Sequence, residues 1–191
     1  RPHPGQRYVA EALRALVADS KLMRTRMMVQ SEVLMDHSDV KKIDRPVQDV
    51  YSFRCMPQIF GPVHETIEHT ADVIEREANS VTDNPIIDAH KEIFMHGGNF
   101  HGDYVSLEMD KLKIVFTRLA ATAERHTNFF LNRNINKFFP PFLNLRKGGL
   151  TLGLQGLQFV ATSTTAEMQS LCFPNYVHTI PTNGDNQDIV S

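Results

Sequence analysis

Apolar side chains recur along much of this chain at alternating steps of three and four residues, the spacing that places them on one face of an α-helix. The longest run starts at Val105 and predicts a helix that continues to about Asn132, roughly 30 residues and 45 Å long. Three shorter runs predict three further helices. The four runs consist of Val9, Leu13, Leu16 and Val17; Ile59, Val63, Ile67, Ala71, Ile74 and Ala78; Val105, Met109, Leu112, Phe116, Leu119 and Ala123; and Leu154, Leu157, Ala161, Thr164, Met168 and Leu171.

Prolines and glycines mark where these helices should begin, end or bend. The first helix is expected to follow a turn at Pro4 and Gly5. Pro57 and Pro62 fall near the start of the second run, so that helix is expected to begin or to kink there. Pro174 is expected to end the fourth helix.

Strand-like patterns are scarce. Two short apolar segments, 86–87 and 93–95, flank a polar stretch and predict one small hairpin, with turn residues on either side. Long helices with so little sheet indicate a mainly α fold, a bundle of long helices. The simplest interpretation of the apolar runs is that they form the core of that bundle. The chemistry should then lie in the polar loops between them.

The composition narrows the class of protein. The chain has 191 residues, of which 41% are hydrophobic and 22% charged, and a net charge of −2. It is too apolar for a disordered chain, and its charge gives no reason to expect binding to nucleic acid or to an anionic membrane. No apolar run approaches the roughly 18 residues of a membrane-spanning helix. Cys55 and Cys172 are too few for a disulfide scaffold or a cysteine zinc site, and they suit a reducing cytoplasm.

Both ends suggest that the chain belongs to something longer. It starts at Arg1 without a methionine or a signal peptide, and it stops directly after a dense polar run, 183–188. We expect a single segment, residues 1–191, that is part of a longer helical domain.

The first loop with candidate chemistry lies at 48–55. If it enters a helix, Tyr51 and Arg54 are three residues apart and share a face. An arginine can hold a carboxylate through two parallel hydrogen bonds, and a tyrosine beside a cation can carry a proton. The alternative is structural: Arg54 pairs with a local acid and Tyr51 is a half-buried packing residue.

The second loop lies at 96–103 and is rich in glycine. It lacks the lysine and the spacing of known phosphate loops, and the spacing of His96, His101 and Asp103 matches no standard zinc pattern, so we expect no metal here. The simplest interpretation is a turn from hairpin to helix that is capped by Asn99 or Asp103.

Two further polar segments complete the set. Residues 80–85 are expected to form a helix end and a turn, in which Asp83 and Asn84 satisfy free backbone groups. Residues 183–188 are either a plain loop or a wall of amide donors that faces a ligand.

Six segments, taken in order along the chain, resemble one family, the aromatic amino acid ammonia-lyases, which act on histidine, tyrosine or phenylalanine. The segments are RPHPGQ at 1–6, QDVYSFRC at 48–55, SVTDNP at 80–85, GGNFH at 97–101, FPPFL at 139–143 and NQD at 186–188. The resemblance implies a cytoplasmic homotetramer of long helices that share a central bundle, with active sites built from three subunits. It also implies elimination of ammonia from an aromatic amino acid, with a methylidene-imidazolone electrophile formed from an Ala-Ser-Gly triplet and no metal.

The resemblance assigns roles to individual residues. Tyr51 matches the tyrosine beside the imidazolone that is implicated in proton transfer, and Arg54 matches the arginine that holds the substrate carboxylate. Phe100 matches an aromatic residue next to the electrophile. Polar residues of the same pocket correspond to Gln48, Asn183, Asn186 and Gln187.

One departure from the family pattern stands out, because this chain contains no Ala-Ser-Gly triplet. It is therefore expected to be the central portion of a lyase and to be inactive by itself. The alternative of a different class is a helical assembly protein that has kept the fold and lost the chemistry.

The substrate is indicated by one position. Histidine lyases typically carry a glutamate where this chain has Gln187, whereas tyrosine and phenylalanine lyases typically carry a glutamine. A carboxylate there can meet an imidazole or an ammonium with charge, and an amide cannot. Tyrosine or phenylalanine is favoured, with histidine as the alternative. The sequence leaves open whether the reaction is a lyase or an aminomutase reaction.

Overall fold

The structure is a computed structural model, and it describes residues 1–191 except 26, 29–47, 147–148, 182–183, 185, 187 and 190–191. Helices dominate, with one two-stranded hairpin among the described residues, so the predicted mainly α fold is confirmed. The helices are α1 (Pro4–Leu16), α2 (Tyr51–Arg54), α3 (Met56–Ala78), α4 (Asp103–Leu131), α5 (Arg133–Asn136) and α6 (Gln155–Leu171), with 3-10 turns at Asn99–His101 and Pro141–Leu143 and strands β1 (Ile86–Asp88) and β2 (Ile93–Met95).

The chain forms two compact units, residues 1–61 and residues 62–191. In the first unit, α1 and the start of α3 approach each other closely, because a Cβ atom at Gly61 would lie 2.8 Å from the backbone nitrogen of Gln6. Only a glycine fits such a contact.

The start of α1 differs from the expectation, whereas the start of α3 agrees with it. Helix α1 starts at Pro4 itself, since a proline in the first turn has no N–H to leave unpaired. Pro57 likewise lies in the first turn of α3, but that helix continues through Pro62. Pro57, in the first turn, removes no helix hydrogen bond, and the helix of 23 residues tolerates the loss of the one that Pro62 removes.

The longest predicted element is confirmed almost residue by residue. Helix α4 has 29 residues and ends at Leu131, one position before the predicted end. The hairpin is also confirmed, and its antiparallel register pairs Ile86 with Met95 and Ile87 with Phe94.

Helices α4 and α6 pack against each other in antiparallel directions. At the middle of α4, the Thr117 hydroxyl donates to the carbonyl of Met168, near the end of α6, at 3.4 Å. Near the end of α4, Oδ1 of Asn128 accepts a hydrogen bond from Nε2 of Gln158, near the start of α6, at 3.1 Å. Polar groups therefore bridge this helix pair at two points.

The apolar run of α4 does not form the core of this chain. Met109, Phe116 and Leu119 are 38%, 41% and 36% exposed, so the interpretation of this run as core is wrong. Helix α4 instead turns a largely polar face inward, because α3 and α6 contact it through hydrogen-bonding groups. Among its described residues, the buried ones are Glu108, Asp110, Thr122, Glu124 and Leu131.

The connection into α6 contains the tightest backbone contact of the second unit. Gly153 has a φ of +56°, and a Cβ atom there would lie 2.5 Å from the carbonyl oxygen of Phe142. That oxygen already accepts a hydrogen bond from the backbone N–H of Leu154 at 2.8 Å. The 3-10 turn at Phe142 and the start of α6 therefore cannot move apart without losing this hydrogen bond.

We expect Gly153→Ala to lower the free energy of unfolding by about 1–3 kcal/mol, because the new methyl group meets backbone atoms and the residue needs a positive φ. Urea unfolding followed by circular dichroism measures the change. Gly156→Ala is the matched control: it lies in α6 with nothing within 4 Å of the new Cβ atom, and alanine favours helix. Equal stabilities of the two variants would contradict the assignment.

Candidate active site

Tyr51 and Arg54 contact each other at the two ends of the short helix α2. The Arg54 guanidinium carbon lies 4.5 Å from the centre of the Tyr51 ring, so the predicted shared face is confirmed. The helix begins after Val50, whose carbonyl accepts the backbone N–H of Arg54 at 3.1 Å. This local bond sets the two side chains one above the other.

The structural alternative for this pair is not supported. Tyr51 is 71% exposed rather than half-buried, and no described carboxylate lies within ion-pair distance of Arg54. The tyrosine ring covers one face of the guanidinium, an arrangement typical of cation–π contacts. Gln48 lies three residues before α2 and is also exposed.

Phe100 lies on a turn between the hairpin and α4. The turn is the 3-10 helix Asn99–His101, followed by Gly102 with a φ of +69°. The Phe100 ring is 53% exposed and stacks on His101, with ring centroids 4.8 Å apart. The turn thus leaves a flat aromatic surface exposed.

The two polar loops that the sequence separated, 80–85 and 96–103, form one structure. Nδ2 of Asn99 donates to the Val81 carbonyl at 3.2 Å, and the backbone N–H of Gly97 donates to Oδ1 of Asn84 at 3.0 Å. The role predicted for Asn84 is confirmed. The predicted cap is wrong: the residue that precedes α4 is Gly102, which has no side chain to cap the helix.

A small cleft of about 160 Å³ opens beside this turn and is lined by Glu77, Gly98, Asn99, His101, Gly102, Asp103 and Tyr104. Within the described part of the chain, no group of three or more His, Cys, Asp or Glu side chains is placed to hold a metal ion.

The remaining predicted site residues are distributed as follows. Asn186 lies in a turn and is exposed, whereas Asn183 and Gln187 lie outside the described residues. Tyr51, Arg54 and Gln48 belong to the unit of residues 1–61, and Phe100 and Asn186 to the unit of residues 62–191.

Sequence reasoning missed a buried acidic pair on α4. Glu108 is 2% exposed and Asp110 is 5% exposed. Nζ of Lys111 lies 2.6 Å from Glu108, and Nζ of Lys113 lies 2.6 Å from Asp110. The three-residue spacing of acid and lysine was a visible signal, but the same spacing is common on exposed helix faces.

Glu108 joins α4 to α3. Its carboxylate accepts the Thr70 hydroxyl at 3.2 Å and lies 3.3 Å from Nε2 of His69. Burial by itself would raise the pKa of Glu108, but hydrogen bonds from Lys111 and Thr70 and the charges of Lys111 and His69 hold it below its ordinary value. The folded state therefore favours the ionised carboxylate.

This shift predicts a pH dependence of stability. A carboxyl whose pKa is lower in the folded than in the unfolded state stabilises the fold above the unfolded pKa, about 4.3 for glutamate, and that contribution is lost as the pH falls through the folded pKa. We expect Glu108→Gln to flatten the loss of stability between about pH 5 and pH 3. Urea unfolding at a series of pH values tests this, with the exposed Glu75→Gln on α3 as control; parallel curves for all three proteins would contradict it.

No helix among the described residues is long and apolar enough to cross a membrane.

The chain matches the aromatic amino acid lyase family over residues 1–191, and it therefore belongs to that family. It is 41% identical to a tyrosine ammonia-lyase of Cupriavidus metallidurans, 39% identical to an MIO-dependent tyrosine 2,3-aminomutase of Streptomyces globisporus and 37% identical to a histidine ammonia-lyase of Natranaerobius thermophilus. Each match covers 100% of this chain and 36%, 36% and 34% of the respective relative. The chain thus spans about a third of the length of these relatives.

Solved structures agree with the sequence matches. The phenylalanine aminomutase of Pantoea agglomerans is similar with a TM-score of 0.92 and 39% identity, over 100% of this chain and 37% of that one. The resemblance inferred from six short segments is therefore confirmed.

Proposed function

We propose that this chain is part of an enzyme that eliminates ammonia from an aromatic amino acid, with tyrosine or phenylalanine favoured. The observation that carries the proposal is the pairing of Tyr51 with Arg54. An exposed guanidinium without a described acidic partner, stacked 4.5 Å from a phenol ring, suits a site that takes its carboxylate from the substrate.

Arg54 binds the substrate carboxylate in this proposal. Its planar guanidinium donates two parallel N–H groups to the two carboxylate oxygens. Tyr51 carries a proton to or from the substrate at its phenolic oxygen. The two groups act together because the bound carboxylate orients the substrate relative to the phenol.

The family resemblance implies a methylidene-imidazolone, here called MIO, which would arise from an Ala-Ser-Gly triplet outside these 191 residues. The name of the Streptomyces globisporus relative supports this. The chemistry of Phe100 fits such a group, because its half-exposed flat ring lies on a glycine-bounded turn. By the family resemblance, the amides of Gln48, Asn183, Asn186 and Gln187 would donate hydrogen bonds there. The group supplies an electrophile that activates the substrate for loss of a barely acidic proton. The 191-residue chain alone is expected to release no ammonia.

The preference for tyrosine or phenylalanine rests on Gln187. A neutral amide leaves an imidazole side chain without a charged partner, whereas a phenyl or phenol ring needs none. The tyrosine-named relatives support the preference, and the histidine-named relative keeps histidine as the alternative.

The full-length parent tests the proposal when it is assayed on tyrosine, phenylalanine and histidine, with coumarate, cinnamate and urocanate followed by absorbance. We expect coumarate or cinnamate to form fastest. Urocanate formed tenfold faster, about 1.4 kcal/mol of transition-state preference, would overturn the interpretation of Gln187. A β-amino acid as the main product would make the enzyme an aminomutase. No product, with no Ala-Ser-Gly triplet upstream, would support the non-catalytic assembly protein.

We also propose that other copies of the chain cover the exposed apolar surface. Tyr104 and Ile114 on α4 are 73% and 50% exposed, and Phe159 and Val160 on α6 are 66% and 60% exposed. Apolar surface of this density is normally buried in an interface. The full-length parent is expected to sediment as a tetramer; a monomer that binds no apolar dye would contradict this.

A further inference from the structure

A charged pair on α4 holds the segment that follows α6. One oxygen of Asp110 lies 2.6 Å from Nζ of Lys113, and the other accepts the backbone N–H of Tyr176 at 2.7 Å. Nζ of Lys113 also donates to the carbonyl of Phe173 at 3.0 Å. The pair therefore holds the segment through two backbone hydrogen bonds: Asp110 accepts the N–H of Tyr176, and Lys113 donates to the carbonyl of Phe173.

The Asp110–Lys113 pair is better suited to fixing the position of the segment after α6 than to raising the free energy of unfolding. Asp110 is 5% exposed, and a buried ion pair is seldom more stabilising than apolar residues of the same size. Both carboxylate oxygens have partners. The hydrogen bonds from Lys113 and from Tyr176 hold the pKa of Asp110 below its ordinary value although burial opposes this.

The segment that the pair holds, residues 173–178, also has contacts within itself. The backbone N–H of His178 donates to the Asn175 carbonyl at 2.9 Å, and the His178 ring lies 5.5 Å from the Phe173 ring. The chain then continues to Asn186, ten residues after Tyr176. Because ten residues reach at most about 35 Å, the place where the segment is held limits where Asn186 can lie.

We propose that Asp110 and Lys113 are positioning residues for the substrate site: they place the backbone at Phe173 and Tyr176, and so the loop that carries Asn186. The inference rests on the proposed function, which assigns Asn186 to that site. Neither residue touches the substrate. Their effect passes through the backbone alone.

The same helix provides a matched control. Glu108 and Lys111 form a second buried pair with the same three-residue spacing and the same 2.6 Å contact. That pair faces Thr70 of α3 instead of the segment after α6. Lys111→Met and Lys113→Met therefore remove equivalent charges from equivalent pairs, and only Lys113→Met releases the segment.

The test uses the full-length parent in four forms: wild type, Lys113→Met, Lys113→Arg and Lys111→Met. Hydrogen exchange by mass spectrometry, on peptides that cover residues 173–181, measures how firmly the pair holds this segment and does not require turnover. Steady-state kinetics on the preferred substrate report the site. We expect Lys113→Met to exchange faster in these peptides and to lose about tenfold to hundredfold in kcat/KM. Lys113→Arg should recover most of both, and Lys111→Met should match wild type in both.

Each departure has a defined meaning. Unchanged exchange in Lys113→Met would show that the pair does not hold the segment and would overturn the proposal. Faster exchange with unchanged kcat/KM would overturn the positioning role. Equal losses of kcat/KM in Lys111→Met would reduce the effect to general destabilisation and also overturn it. If Lys113→Met does not fold, Asp110→Ala replaces it, because it removes the acceptor of the Tyr176 N–H and leaves the ammonium of Lys113 partly exposed to solvent.

A wild-type parent without turnover on any aromatic amino acid would refute the proposed function, and the positioning role with it, whatever the exchange result. The two failures are therefore distinguishable.

Discussion

Arg54→Ala in the full-length parent should lower kcat/KM for tyrosine or phenylalanine by about thirtyfold to several thousandfold, or about 2–5 kcal/mol. The physical reason is the loss of a bidentate partner for a carboxylate that is desolvated when the substrate binds. In the structure the guanidinium stacks on Tyr51 and has no acidic partner among the described residues, so no internal ion pair is broken by the change. Initial rates over a range of substrate concentrations measure the loss.

Two variants control this result. Arg54→Lys keeps the charge but not the fork, so it should lose less than alanine and recover only part of the activity. Arg14→Ala removes an exposed arginine from the last turn of α1 and should leave the kinetics unchanged. Wild-type kinetics in Arg54→Ala would remove this residue from the site.

The second large effect is expected for Tyr51→Phe, which should lower kcat by about 10²–10⁴-fold and change KM little. The substitution removes only the phenolic oxygen that is proposed to carry the proton. A phenylalanine ring can still lie 4.5 Å from the Arg54 guanidinium, so the arginine should keep its position and its hold on the substrate. The split between kcat and KM separates a proton-transfer role from a binding role.

Tyr8→Phe on α1 is the matched substitution away from the pair and should retain wild-type kcat. A rise in KM with an unchanged kcat in Tyr51→Phe would assign Tyr51 to substrate binding. Unchanged values of both constants would exclude it from the site.

Local features of this chain were readable without coordinates. The end of α4 was predicted to within one residue, and the hairpin to within one residue at each strand. The contact between Tyr51 and Arg54 followed from their spacing. These features depend on backbone periodicity and on contacts within one helical turn, so the information lies in neighbouring residues.

The site could be predicted only in part. Six short segments in order identified the family, and with it the roles proposed for Tyr51, Arg54 and Phe100. The union of loops 80–85 and 96–103 was not predicted, because Asn99 and Val81 are 18 residues apart and neither segment shows which partner it has.

By itself, the sequence of this protein determined the helices, the hairpin and the membership of a family. Only the tertiary structure decided which face of α4 is buried. The apolar run from Val105 to Ala123 is the stronger pattern, yet Glu108 and Asp110 lie inside and Phe116 is 41% exposed. A carboxylate is buried only when partners satisfy it, and those partners, Thr70 and the backbone of Tyr176, are 38 and 66 residues distant in the chain. The residue pattern of one helix does not show which distant residues will pack against it.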